Sequence, residues 1–441
     1  MAIKVGMVSL GCPKNQIDAE IMLALIQNGG FELVSEAGMA EIAIVNTCGF
    51  INDAKEESIA EILELAMLKK EGKIKKIIVT GCMAERYKNE LLAELPEVDA
   101  VVGIGKNSDI VNIINHALNG ETAVTAGNKC DLPLNGERLL TTPPYLAYLK
   151  IAEGCDNRCS YCAIPMIRGP FRSRKMDDIL SEAQKLAQNG VRELVVVAQD
   201  TTRYGLDLYG KRELPSLCKK LCKIDGIEWI RLLYCYPNGI SDELLDVIVQ
   251  NNKMAKYIDM PLQHSSESVL KNMNRSGNST ELLSLINKIR QKVPGITLRT
   301  TVMVGFPGES EDDFNELSQF VKDAQFDRLG CFTFSAEEDT AAFDMPNQVN
   351  NGLKEKRRDI IMQQQMFIME KKLLKLQNKT ISVLCEGYDK YAGVFFGRSQ
   401  SDAPEIDGKV FFSSSKKYTL GSFVDVLIED IMDYDLIGSA L

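Results

Sequence analysis

Twelve cysteines stand in the chain, and two groups of three are placed where metal chemistry could use them. Cys155, Cys159 and Cys162 form C-x3-C-x2-C directly after an apolar run, Tyr145 to Ala152. A four-iron cluster ligated wholly by protein takes four cysteines, so three close thiolates hold one face of a cubane and leave one iron open. An open iron admits a substrate or cosubstrate, just as catalytic zinc keeps a free coordination position. The spacing also admits a rival of another class, a non-enzymatic binding protein stabilised by zinc, with His116 or His264 completing the set. Neither histidine stands at close zinc-finger spacing from the cysteines.

Cys12, Cys48 and Cys82 are far apart, yet each ends an apolar run: Leu10-Gly11-Cys12, Asn46-Thr47-Cys48 and Thr80-Gly81-Cys82. Separate buried cysteines are usually inert packing residues. Open parallel sheets, however, bind ligands outside the carboxyl ends of their strands, so three cysteines at three strand ends are expected to converge on one edge. Gly11 and Gly81 would let backbone approach a bulky ligand. Cys130, Cys218, Cys222, Cys235, Cys331 and Cys385 show no comparable arrangement; Cys218 and Cys222, four apart on a helical segment, read as packing. Gly103-Ile104-Gly105-Lys106 lacks the rest of either phosphate-binding fingerprint.

The elements that must position these residues follow from hydrophobic periodicity. Over residues 1–118, strand-like runs (IKVGMVSL, AIVNT, KIIVTG, DAVVGI) alternate with helical patterns, among them Ile59, Ile62, Leu63, Ala66 and Met67. That βαβ rhythm implies an α/β domain built on a parallel sheet. Residues 119–140, polar with Gly and Pro, read as a linker. Across 141–376, runs at 145–152, 194–198, 229–234, 257–262, 296–306 and 329–334 make about six βα units. Six are too few for a full eight-stranded barrel, so a partial barrel is expected, with chemistry at the carboxyl ends of its strands. Gln199 and Asp200 end its second strand, and Gln263 and His264 its fourth. From Leu353 a helix is expected with Ile360, Phe367 and Leu374 on one stripe. Residues 377–441, with short alternating runs broken by Gly and Ser, suggest a small antiparallel β-barrel.

Composition narrows the class. The 441 residues are 45% hydrophobic and 25% charged, typical of a globular enzyme. No apolar run reaches the roughly 20 residues of a membrane span, and MAIKVGMVSLGC does not read as a signal peptide. The expected location is the cytoplasm, where patterned cysteines serve metals or catalysis sooner than disulfides. A net charge of -10 suits a basic partner better than nucleic acid.

The segment EGCDNRCSYCAIPMIRGPFRSR resembles the cluster loop of radical S-adenosylmethionine enzymes. SLGCPKNQIDAE, NTCGFINDAKEES and TGCMAERY resemble the three ligand segments of the methylthiotransferase family within that superfamily. The resemblance covers nearly the whole chain and implies two [4Fe-4S] clusters, one held by Cys155, Cys159 and Cys162 and the other by Cys12, Cys48 and Cys82. It implies S-adenosylmethionine as source of a 5′-deoxyadenosyl radical and of a methyl group, Tyr161 beside the adenine, and a cosubstrate pocket shaped by Val304 to Glu309, with Gly305 and Gly308. It implies a terminal barrel of the TRAM kind. Gln199 and Gln263 are candidate contacts in the same pocket.

Methylthiotransferases divide by target. SLGCPKN and GCDNRCSYCAIPMIRG are similar to the branch that modifies an aspartate β-carbon of ribosomal protein S-twelve in the small subunit. An anticodon-adjacent tRNA adenosine is the alternative target. Residues 378–441 hold six basic and ten acidic side chains, which suits a basic protein better than phosphate, whereas Lys354 to Leu376 holds seven basic and three acidic. The expected partners are S-twelve or the small subunit, a low-potential electron donor such as ferredoxin or flavodoxin, and a sulfur donor, with no membrane.

Overall fold

Val, Ile and Ala fill the first apolar runs, and strands apolar on both faces belong inside a parallel sheet covered by helices. In a computed structural model, which describes residues 2–441, these runs become β1 Lys4–Ser9, β3 Ile42–Thr47, β4 Lys76–Gly81 and β5 Ala100–Val102. Two short strands join them, β2 Glu32–Val34 and β6 Ala123–Thr125, giving the order β2-β1-β3-β4-β5-β6 with every pairing parallel. Helices α1 Pro13–Asn28 and α4 Ile110–Leu118 pack on the face carrying Ile42 and Ile44. On the opposite face, α2 Asn52–Lys70 and α3 Cys82–Glu94 pack over Ala43 and Val45.

The expected stripe on α2 is half wrong. Ile62 and Ala66 are buried, but Ile59, Leu63 and Met67 are exposed, and Ser58 and Leu65 take their place inside. Ser58 is turned inward because its hydroxyl donates to the Cys48 carbonyl and accepts from the Cys48 amide, both at 3.1 Å. Within 119–140, read as a linker, β6 extends the first sheet. Leu132 is buried there, and Arg138 pairs with Glu20 and Glu182. This stretch is a strap fastened to the domains on either side.

The second sheet has six consecutive parallel strands: β7 Leu146–Lys150, β10 Glu193–Val197, β11 Trp229–Leu232, β12 Met254–Asp259, β13 Thr297–Val304 and β14 Arg328–Thr333. Its order, β14-β13-β12-β11-β10-β7, leaves β14 and β7 as free edges, the partial barrel expected from six units. A short antiparallel pair, β8 Ala152–Glu153 with β9 Arg172–Ser173, ties the two ends of the cysteine loop together. Ile17 and Ile21 of α1 fill the inner face against Tyr148, Val195 and Val197.

The long helix Asn351–Leu373 forms, but its buried residues include Ile361, Gln365, Ile368, Met369 and Leu373, while Phe367 and Leu374 are exposed. A seven-residue spacing drifts around a straight helix of 3.6 residues per turn, which explains the error. Lys354 and Arg357 are buried as well: Lys354 donates to the Phe334 carbonyl and Arg357 pairs with Glu309 at 2.7 Å.

The last domain is a closed five-stranded barrel, β15 Thr380–Asp389, β16 Val394–Ser399, β17 Val410–Ser413, β18 Phe423–Met432 and β19 Asp435–Ala440, in the order β15-β16-β17-β19-β18. It departs from the expected antiparallel pattern at one pairing, β17 with β19, which runs parallel. Ion pairs seat it on the central barrel. Glu193 accepts from Arg398 at 2.7 Å and from Arg231 at 2.9 Å, Arg328 meets Asp402 at 2.6 Å, and Tyr257 donates to Asp407 at 2.6 Å. Glu193 and Arg328 begin their strands, so this seat lies at the end opposite the cysteine loop.

Breaking a buried ion pair leaves a charge without its partner. Arg398→Ala is expected to lower unfolding free energy in a urea titration by about 3 kcal/mol, whereas Tyr391→Ala, at a fully exposed ring, changes it by less than about 0.5 kcal/mol.

Candidate functional site

β1, β3 and β4 are neighbours in the first sheet, and Cys12, Cys48 and Cys82 follow their carboxyl ends, so all three thiols come to one edge. Cys12 begins the first turn of α1, its carbonyl accepting from Asn15 and Gln16, and Cys82 opens α3. The glycines serve the protein before any ligand. A Cβ on Gly11, whose φ is +90°, would stand 2.8 Å from the Cys48 Cβ, and one on Gly81, at +94°, would stand 2.4 Å from the Thr47 carbonyl. Absence of side chains at these two points lets the three strand-end loops touch.

Cys155, Cys159 and Cys162 lie on the loop after β8, at the carboxyl end of the central barrel. Asn157 donates to Asp200 at 3.0 Å, and Asn274 donates to the Arg158 carbonyl at 2.9 Å, so the loop is held from two sides. The Arg275 guanidinium lies 3.7 Å from the Cys159 Sγ and 4.3 Å over the Tyr236 ring, and donates to the Pro261 carbonyl.

A five-residue helix joins the two sets. α5 Ile164–Arg168, about 7.5 Å long, starts two residues after Cys162, and Ala163 and Ile167 pack directly on Cys82. At its end Arg168, 1% exposed, donates to the Cys82 Sγ at 3.3 Å, to Asp18 at 2.6 Å and to Glu153 at 3.1 Å. Lys150 completes the cluster, 2.6 Å from Asp18 and 2.9 Å from Glu153. Across the barrel mouth, Glu337 accepts from Arg86 at 2.8 Å and from Lys55 at 3.0 Å, and Arg86 donates to the Gly49 carbonyl beside Cys48. The first domain is thus clamped over the cysteine loop from both sides.

Electrostatics separates the thiols. Burial works to raise Cys12, but Lys14 and then Arg168 outweigh it and hold its pKa below the ordinary thiol value. Burial raises Cys48, and pushes Cys82 up to about 12 against the pull of Arg168. Burial likewise pushes Cys155 up to about 11 and Cys162 to about 12. Buried thiols with such values gain from a metal that takes the thiolate. Among the described residues no three His, Cys, Asp or Glu side chains close on a single metal ion. A cubane, whose thiolates bind different irons, needs a wider triangle than one zinc, and each set has three thiols with a guanidinium beside one of them. The residues fit clusters.

The remaining candidates divide. Gln199 donates to Glu153 at 2.6 Å, while its own Oε1 is buried with no hydrogen-bond partner and is free to accept from a bound ligand. Tyr161 packs beside Phe306 and Met303, with Arg275 3.5 Å from its hydroxyl. Gln263, at φ +73°, bridges to β13 through its main chain, donating to Thr301 and accepting from Met303. Gly308 has open space where a Cβ would stand. Gly305 does not face a ligand: a Cβ there would meet the Lys354 stem at 2.2 Å. Asp200 caps the turn Thr201–Arg203. Gly105 and Gly103 pack against Asn128 and Glu85, and Cys218 is sealed in the core. Asp18, Lys150, Arg168 and Arg275 carried no signal in sequence beyond their charge, because their partners lie up to 150 positions away.

Residues 4–103 match the uncharacterized protein family UPF0004, 149–321 the radical SAM superfamily, and 379–441 the TRAM domain. The chain is 51% identical to a ribosomal protein uS12 methylthiotransferase RimO from Pelotomaculum thermopropionicum, covering 100% of both chains. It is 48% identical to the protein of that name from Clostridioides difficile, over 100% of this chain and 99% of the relative. Among solved structures it resembles the radical S-adenosylmethionine methyltransferase TsrM from Kitasatospora setae, with a TM-score of 0.60 and 13% identity over 78% of this chain and 77% of that one. At that identity the likeness speaks for fold alone.

His264 is fully buried, its Nε2 unpartnered and its Nδ1 accepting from Ser266. Burial lowers its pKa from 6.5 to about 4, so it is a neutral packing residue. Between those values the unfolded chain takes up a proton that the folded chain refuses, so stability falls as pH drops through 6.5 and levels off below about 4. His264→Gln is expected to remove about 2 kcal/mol of the stability loss between pH 7 and pH 5, measured by urea unfolding at both values.

Proposed function

The chain belongs to the ribosomal protein uS12 methylthiotransferases, a family of radical S-adenosylmethionine enzymes with [4Fe-4S] clusters, and from that membership we propose how its residues divide the work. Cys155, Cys159 and Cys162 hold the cluster that binds S-adenosylmethionine, and Cys12, Cys48 and Cys82 hold the second. When bound, these groups supply a 5′-deoxyadenosyl radical, a transferable sulfur and a methyl donor. The acceptor is an aspartate β-carbon of uS12, whose C–H is not acidic enough for a side-chain base near pH 7.

The observation that supports this division is α5: one short helix begins two residues after Cys162, and it packs on Cys82 through Ala163 and Ile167. A carbon that loses hydrogen at one centre and gains sulfur at the other can stay in place. Arg275 and Arg168 offset thiolate charge at Cys159 and Cys82. The unpartnered Oε1 of Gln199 would accept from the methionine amino group of S-adenosylmethionine, and the Tyr161 ring would stand beside its adenine; Gln263 and Gly308 would shape the pocket through backbone. Gly305 contributes packing.

Glu429, Asp430 and Asp433 remain exposed on the terminal barrel and suit a basic ribosomal partner. The reaction requires a low-potential electron donor such as ferredoxin or flavodoxin and a sulfur donor, and a ribosomal substrate sets it in the cytoplasm. No helix among the described residues is long and apolar enough to cross a membrane.

Mass analysis of small-subunit proteins and tRNA nucleosides, from cells with and without the gene, is expected to show a methylthio increment lost from uS12 alone; loss from an anticodon-adjacent adenosine instead would overturn the assignment. Cys159→Ala should abolish S-adenosylmethionine cleavage, while Cys48→Ala should spare cleavage and block sulfur transfer. Gly11→Ala, which drives a methyl into Cys48, should lower bound iron from about eight atoms to about four, read by iron analysis, with cleavage retained.

A further inference from the structure

Lys14 is a buried cation to which the fold gives no carboxylate. It is 7% exposed, and among the described residues no carboxylate lies within ion-pairing distance of it; the acidic groups that face it are the Tyr234 hydroxyl and the Cys12 thiol. Its ammonium sits 3.5 Å from the centroid of the Tyr234 ring. Its peers are treated differently: Lys150, Arg168, Arg174, Arg231, Arg357 and Arg398 each meet at least one carboxylate, and Lys354 donates to a carbonyl. An aromatic face offsets only part of the cost of burying a charge. A buried ammonium faced only by a tyrosine and by a thiol that a cluster would claim fits an anion that arrives with a ligand.

Position says which ligand. Lys14 stands two residues after Cys12 on α1, and Tyr234 follows the carboxyl end of β11, two residues before the Tyr236 ring that Arg275 covers beside Cys159. The Lys14–Tyr234 contact therefore joins the Cys12 end of α1 to the barrel loop whose Tyr236 lies under Arg275. Tyr234 is fixed there in a left-handed conformation, φ +59°, with its amide donating to Asp259 at 3.0 Å and its carbonyl accepting from Thr201. A bulky residue keeps such a backbone only when its surroundings over-determine it.

We propose that Lys14, backed by the Tyr234 ring, is a carboxylate subsite that takes the side-chain carboxylate of the acceptor aspartate and so places its β-carbon between the two centres. This rests on the reading of uS12 aspartate as the acceptor. A β-carbon is one bond from its carboxylate carbon, so a charge-assisted hydrogen bond at the carboxylate fixes the reacting atom closely. The same contact selects aspartate over asparagine.

Equilibrium binding of the cluster-loaded full chain to uS12, and to uS12 with the acceptor Asp→Asn, tests the subsite. Wild type is expected to prefer aspartate by about 10- to 100-fold. Lys14→Gln should bind both forms within about twofold of each other, with the aspartate form weakened, and Lys14→Arg should keep most of the preference. Iron content of each variant reports on the first cysteine set. A Lys14→Gln protein that keeps the aspartate preference overturns the subsite, and so does one that loses iron and weakens on both forms alike, because Lys14 would then serve Cys12. If wild type neither binds nor modifies uS12, the acceptor assignment has failed beneath it. If it modifies uS12 and only the preference is insensitive to Lys14, the subsite alone has failed.

Discussion

Arg168 is 1% exposed and shares Asp18 and Glu153 with Lys150, a four-charge knot from which water is excluded. No member is tolerable alone at that depth, since an unpaired buried charge costs several kcal/mol. Together they hold Glu153 far below the usual carboxylate range, because Lys150 and Arg168 overcome the effect of its burial. The knot links three pieces of chain: Asp18 belongs to α1, Lys150 and Glu153 to the first barrel strand region, and Arg168 ends the helix after the cysteine loop. Fixing those three pieces fixes Cys12 and Cys162 with respect to each other, and the Arg168 bond to the Cys82 Sγ brings in the third thiol. The alternative, a hydrophobic interface of equal area, would allow small slides; paired charges with defined directions allow fewer.

The opposite end of the barrel is held by the same kind of bond for a different purpose. Glu193, Arg231, Arg398, Asp402, Arg328 and Asp407 seat the terminal barrel away from the cysteine loop. This changes what its acidic count means. Asp402 and Asp407 are spent on Arg328 and neighbours inside the interface, so the charge available to a partner is the smaller exposed group near Glu429 and Asp433. A charge tally over a sequence segment cannot separate the two uses, because both look like acidic residues among β-strands.

Reading by period succeeded where one face of an element decides its burial. The strands β3, β4, β7 and β10 announce themselves because each buries a run of adjacent apolar residues, and the convergence of Cys12, Cys48 and Cys82 follows from their place at parallel strand ends. It failed where a polar group outweighed the apolar ones. Ser58 faces inward to serve the Cys48 backbone, which turns Ile59, Leu63 and Met67 out; Lys354 and Arg357 face inward because Phe334 and Glu309 wait for them. The short strands β2 and β6 bury none of their residues fully, so no apolar run marks them.

By itself the sequence determined the chemistry's ingredients: two sets of three cysteines, the parallel α/β and partial-barrel classes, and the family to which their surroundings belong. Those are local properties, set by residue type and spacing along a few turns of chain. Only the tertiary structure decided that α5 joins the sets, that Gly305 packs on Lys354 while Gly308 stays open, that His264 is a sealed neutral residue, and that Lys14 is left without a carboxylate. Each depends on partners tens to hundreds of residues distant. A charge or a polar atom has no preferred environment in one dimension; its burial is stable only with a particular partner, and that partner is chosen by the fold.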